Sequence, residues 1–172
     1  MVDLVKQNLK KNKKIFDNVK RELRKELSIN IPIEHVGSTA IPYMYGKNII
    51  DILIGAEDIR EFEYIKNVLE EHNFIASEKS RNEIYQFFAS SSNETSSGDV
   101  HIHLVIKNTQ RFLDFIILRN YLLKNRKEVR EYSSLKKKLI KNGIMDRKDY
   151  KKRKSEYVSD LLNRARKAMK NG

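Results

Sequence analysis

The chain has 172 residues, 40% hydrophobic and 34% charged, the composition of an ordinary globular protein with enough apolar side chains for a core. It contains no Cys, which excludes disulfides, thiolate metal sites and cysteine nucleophiles, and a cytoplasmic setting is expected. No run approaches the roughly 18 apolar residues of a membrane span, and the N-terminus lacks the apolar stretch of a signal peptide, so neither insertion nor export is expected.

The formal net charge of +12 is unevenly placed. Residues 119–172 hold 19 Lys and Arg against 6 Asp and Glu, residues 1–30 hold nine against four, and residues 31–118 hold seven against thirteen. Lysine-rich helix faces are commonly just solvated. As a functional signal, basic ends around an acidic middle suit a polyanion, either nucleotide phosphates or nucleic acid.

In chain order, Val5, Leu9, Phe16, Val19, Leu23 and Leu27 recur at near-helical steps and predict an amphipathic helix over 2–27, interrupted at Asn12. "INIPIEHVGS" switches to alternation: Ile31, Ile33 and His35 share one strand face, Glu34 and Val36 the other, and Pro32 suits the strand's start. Ser38 to Gly46 leaves room for one helical turn, and "NIIDILIG" reads as a short strand buried on both faces. A helix over 58–72 follows, with Ile59, Phe62, Ile65, Val68 and Leu69 on one face. Candidate strands "FIAS" and "EIYQFFAS" lead to a polar loop, "SSSNETSSG". "DVHIHLVI" alternates again, so Asp99, His101, His103 and Val105 share a face. From Thr109 the pattern is helical, over 110–125, 126–142 and 147–170, the last entered through Asp146. The expected class is α+β: a mostly antiparallel or mixed sheet with an N-terminal helix and a C-terminal helical bundle, 1–172 forming one domain.

Gly37, Ser38 and Thr39, at a strand end before a helical turn, can offer N–H groups and hydroxyls to a phosphate. Asp51 is a lone carboxylate in an apolar run, which demands a partner. Mg²⁺ bridging Asp51 to nucleotide phosphates is one such partner, and a salt bridge to Lys47 or Arg119 is another. His101 and His103, at i and i+2 on a strand, can reach one metal, with His35 completing a three-imidazole set; the alternative is that they bond to neighbours or touch a ligand phosphate. His35 otherwise orients the turn two residues on. Lys154 falls inside the apolar stripe of the last helix, Lys136 sits comparably between Tyr132 and Leu139, and Arg119 lies within "FLDFIILRNYLL". Their stems can snorkel along the core edge. The functional reading has all three converge on a cleft and pair with phosphates.

"IEHVGSTAIP" followed by "KNIIDILIG" resembles the signature of the GrpB family. "HIHLV" resembles that family's histidine-bearing strand, "FIILRNYLLKNRKEVREYSSLKKKL" its arginine-bearing helix and the next, and "YKKRKSEYV" its closing helix. The resemblance runs from Ile31 to the C-terminus. The family resembles the nucleotidyltransferase superfamily fold, whose site has a Gly-Ser turn and then a strand with two acidic residues one apart. This implies a nucleotidyltransferase-like mixed sheet, with a core in 1–118 and a basic helical tail in 119–172. By that resemblance Gly37 and Ser38 match the phosphate-holding turn and Asp51 the first metal-binding carboxylate. Leu53 stands where the second carboxylate belongs, and Asp99 is the candidate replacement if its face turns toward Asp51. The expected ligand is a nucleotide or phosphorylated small molecule, with Mg²⁺-dependent transfer where catalysis survives the change at Leu53 and binding alone where it does not. Two other classes compete: a nucleic-acid-binding module using the basic tail, and an accessory domain for another protein. Against the former, Tyr121, Tyr132, Tyr150 and Tyr157 read as core positions, not stacking platforms.

Overall fold

A computed structural model describes residues 4–90, 100–141 and 147–170. The chain starts with a two-residue strand, β1 (Val5–Lys6), and α1 (Leu9–Leu23) follows once Asn8 caps it, its side chain accepting from the Lys11 N–H. The helix expected over 2–27 is therefore shorter at both ends. Val5 is drawn away to pair with a strand β3 (Tyr45–Gly46) that no periodicity announced. Asn12, the interruption in the stripe, is buried and donates to the Gln7 side chain (2.9 Å) and to the Thr39 carbonyl (3.4 Å). It ties α1 to the turn after β2 (Ile33–Val36).

That turn is a single 3-10 turn, Ser38–Ala40, and β4 (Ile50–Ala56) follows β3. Asp58 caps α2 (Ile59–Glu71) by accepting from the N–H groups of Arg60 and Glu61. The hairpin β5 (Phe74–Asn82) and β6 (Tyr85–Ser90) comes next, then β7 (Val100–Ile106). Three helices close the chain: α3 (Gln110–Lys124), α4 (Arg126–Lys141) and α5 (Arg147–Lys170). The expected Asp146 cap and most of the "SSSNETSSG" loop lie outside the described residues.

The main sheet has the order β2-β4-β7-β6-β5 and is mixed, because β4 and β7 run parallel while every other pair is antiparallel. Alternation sorts its residues. Ile33, Ile50, Ile52, Ile54, Ile102, Leu104 and Phe88 face α1 and α2 and form the main core with Phe16, Leu23, Phe62, Ile65 and Leu69. The other face carries Val36, Leu53, Tyr85 and Val105, which pack under Phe112 of α3. A third cluster joins Ile41 and Met44, beyond the turn, to Leu122, Val129, Tyr132 and Leu161 of the closing helices. Two Arg-carboxylate pairs fasten α5: Arg164 to Glu128 of α4 and Arg166 to Asp114 of α3. The result is α+β with a mixed sheet and a C-terminal helical bundle on one of its faces. No described helix is long and apolar enough to cross a membrane.

Candidate functional site

A cavity of about 470 Å³ opens where the second sheet face, the Gly37–Ser38 turn and the closing helices meet. Its floor is polar: Asp51 of β4 with His101 and His103 of the neighbouring β7. Its wall is apolar, built from Phe115, Leu118, Leu122, Tyr132 and Val158. A flat apolar group with an anionic end fits such a lining.

The parallel register sets Asp51 beside His101 and Leu53 beside His103, all on one face. Asp51 Oδ1 lies 3.6 Å from His101 Nδ1 and 3.5 Å from His103 Nε2. The second ring nitrogen of His103, Nδ1, accepts from the Tyr85 hydroxyl at 3.0 Å. Burial alone would raise the Asp51 carboxyl, but hydrogen bonds and charge from His101 and His103 outweigh it and hold the group well below the usual carboxylate range. Asp51 thus has two imidazoles as neighbours, while Arg119 is engaged by Glu34 and the His35 carbonyl.

The turn is shaped to that carboxylate. Gly37 has φ +70°, and a β-carbon there would stand 2.2 Å from Asp51 Oδ2, so only glycine admits the contact. Gly46 plays the same part for Ser38, since a β-carbon at 46 would lie 2.6 Å from the Ser38 Cβ. Ser38 Oγ accepts from Lys136 Nζ at 3.0 Å. Lys136 is only 2% exposed, its ammonium lies 4.4 Å from the centre of the Tyr132 ring, and it has no carboxylate partner among the described residues. Burial first, then the charge of Lys154, push it down to about 7, while Asp51 pulls it back up.

The remaining expected residues divide. Lys154 and Arg119 both line the cavity. Arg119 Nη1 is already committed to Glu34 (2.6 Å) and to the His35 carbonyl (3.1 Å), so it fixes α3 on β2 and adds positive potential. His35 lies on the opposite sheet face, stacked on Phe16 at 4.9 Å and bonded to the Thr39 hydroxyl at 3.0 Å. The three-imidazole set therefore does not form, because alternation sends His35 to the α1 side. Burial pushes His35 down to about 4. Thr39 is fully buried in that contact and does not line the cavity. Lys47 is not among the lining residues either, and Asp99 lies outside the described residues. Tyr85 and Phe115 were missed. Tyr85 read only as a strand residue, and its tie to His103 depends on the β6–β7 register, which the sequence does not print.

Comparisons with known proteins agree with this architecture. The glutamate-rich protein GrpB of Alkalihalophilus pseudofirmus is 30% identical over 154 residues, covering 88% of each chain. The crystal structure of the conserved protein GrpB from Enterococcus faecalis superposes with a TM-score of 0.82 at 22% identity, covering 97% of this chain and 99% of that one. A cytoplasmic RNA terminal U-transferase matches more faintly, with a TM-score of 0.44 at 15% identity over 69% of this chain and 40% of that one. The profile of the GrpB protein family matches residues 2–164, and the chain belongs to that family.

Proposed function

We propose that this GrpB-family chain binds a nucleotide or another phosphorylated small molecule in the cavity, with its phosphates at the Gly37–Ser38 turn and its apolar part against Phe115, Leu118 and Val158. The observation that carries the reading is Lys136. It is buried against a hydroxyl and a ring with no carboxylate among the described residues, so its charged form is disfavoured by itself and is the form that an anion beside Ser38 would stabilise. Lys136 stands behind the lining and reaches it through Ser38 and Tyr132, while Lys154 and Arg119 line the cavity itself.

An Mg²⁺-bridged phosphate was expected at Asp51. Asp51 is the only carboxylate among the described residues lining the cavity, Oδ1 is shared between two imidazoles, Oδ2 is pressed on Gly37, and Leu53 is apolar and fully buried. Among the described residues no group of three or more His, Asp or Glu side chains is arranged to hold an ion. Magnesium takes oxygen ligands in near-octahedral order, and two-ion transfer uses paired carboxylates. The donor set among the described residues does not fit such an ion.

Isothermal titration with each nucleoside triphosphate, with and without Mg²⁺, tests the reading. Binding without Mg²⁺ that weakens at least about tenfold in Lys136→Met supports it, a loss in the range of a charge-assisted hydrogen bond. Binding that requires Mg²⁺ and vanishes in Asp51→Ala would restore the metal. No binding of any triphosphate, nor of inorganic pyrophosphate, overturns the reading.

A further inference from the structure

We propose that His101 is the general base of a metal-independent transfer on the ligand of this cavity, oriented by Asp51, with a nucleotide phosphoanhydride or activated phosphodiester as substrate class. The inference rests on the ligand reading above and adds a chemical step to it.

The two imidazoles of β7 are chemically alike but differently engaged. His103 has both ring nitrogens in use, Nδ1 on the Tyr85 hydroxyl and Nε2 toward Asp51, and its ring lies against Phe115 at 4.7 Å and Phe87 at 5.5 Å. Its side chain is 15% exposed. His101 turns only Nδ1 toward Asp51, and its Nε2 has no partner among the described residues. Its side chain is 29% exposed and lines the cavity, with the ring held edge-on by Phe87 at 4.8 Å. On an imidazole the two nitrogens point away from each other. The Asp51 carboxylate 3.6 Å from Nδ1 favours the tautomer with the proton on that nitrogen, which leaves the proton-accepting lone pair on Nε2, on the side away from the carboxylate. An orienting carboxylate, a histidine and an open reacting position are the parts of a working general base. Asp51 stays ionised in this arrangement, and Gly37 holds it beside the proposed phosphate seat.

In the step, an acceptor hydroxyl, from water or an alcohol, gives its proton to His101 Nε2. The oxygen's electron pair forms a bond to phosphorus, and the P–O bond to the leaving group breaks with its electrons on the departing oxygen. That group leaves as pyrophosphate or an aryloxide, its charge met by Lys136 and Lys154. The imidazolium, paired with Asp51, then returns its proton to solvent. No oxidation change occurs and no further reactant is needed.

The full chain is assayed with the p-nitrophenyl ester of a nucleoside monophosphate in excess EDTA. The expected result is p-nitrophenolate release that falls at least about 100-fold in kcat in His101→Ala, with KM within about threefold, and partial rescue by added imidazole. Asp51→Asn should behave alike but resist rescue, and His101→Gln, which keeps the ring's volume more nearly, should match His101→Ala. Turnover in EDTA that is unchanged in both His101 variants overturns the inference. So does a wild-type protein that binds the ester and never cleaves it, which leaves the ligand reading standing. Failure to bind either the ester or any triphosphate overturns that reading instead.

Discussion

Lys136 can be tolerated at 2% exposure because it can shed its proton. Unfolded, a lysine keeps its proton to about pH 10.4; folded, this one loses it above about 7. Between those values the unfolded chain binds more protons, so the group makes the fold more stable as pH rises across that window. Lys136→Met should flatten the rise, read as urea midpoints at about pH 6 and about pH 9. Ligand affinity runs the other way. An anion needs the protonated amine, so affinity falls as pH rises through about 7, and binding above that value takes up a proton that calorimetry in buffers of different ionisation heat detects. His35 follows the same logic in a lower pH window. Pressed on Phe16 and held down to about 4, it stays neutral in the fold while the unfolded chain protonates near 6.5. Its share of stability is complete above about 6.5 and is lost as pH falls to about 4; His35→Gln should melt with a shallower acid dependence.

At the scale of elements, the turn between β2 and the 3-10 turn is the strictest point. Gly37→Ala would combine a left-handed φ with a β-carbon 2.2 Å from Asp51 Oδ2, and should cost about 2 kcal/mol or more in denaturant unfolding while displacing the carboxylate. Restoring the second carboxylate is the complementary change. Leu53→Asp places an acid at a fully buried position under Phe112 and beside His103, removing a packed side chain and burying a charge. A loss of at least about 3 kcal/mol is expected, with no gain in Mg²⁺ binding by titration. Much of this was legible beforehand. Alternation in "DVHIHLVI" and "NIIDILIG" put Asp51, Leu53, His101 and His103 on sheet faces, and helical spacing turned Lys136 and Lys154 inward. What stayed hidden depends on pairing across the chain. The parallel β4–β7 register sets Asp51 beside His101, and the Val5–Gly46 bridge, together with Asn8 as a cap, shortens α1. Neither follows from any local period.

For the whole molecule, the net charge of +12 has two possible uses, and salt separates them. The outer surface offers an exposed Tyr43 at φ +61° with Arg126 4.4 Å and Lys6 5.8 Å from its ring centre, and Tyr45 carries Lys137 at 3.2 Å. A polyanion lying there would displace counterions from many phosphates, and its affinity would fall steeply with salt. A small phosphorylated ligand meets that field only on approach and is then held by buried groups, so the surface charge should act on arrival and the cavity on departure. Stopped-flow mixing with a fluorescent nucleotide should show the association rate falling severalfold between about 50 and about 200 mM salt, with the dissociation rate nearly constant. Lys136→Met should act on the other rate, raising dissociation at least about tenfold and leaving association and its salt dependence in place, because one buried charge contributes little to the long-range field. Single-stranded RNA whose binding is steeply salt-dependent and indifferent to Lys136→Met would instead assign the basic surface to nucleic acid and leave the cavity to a different ligand.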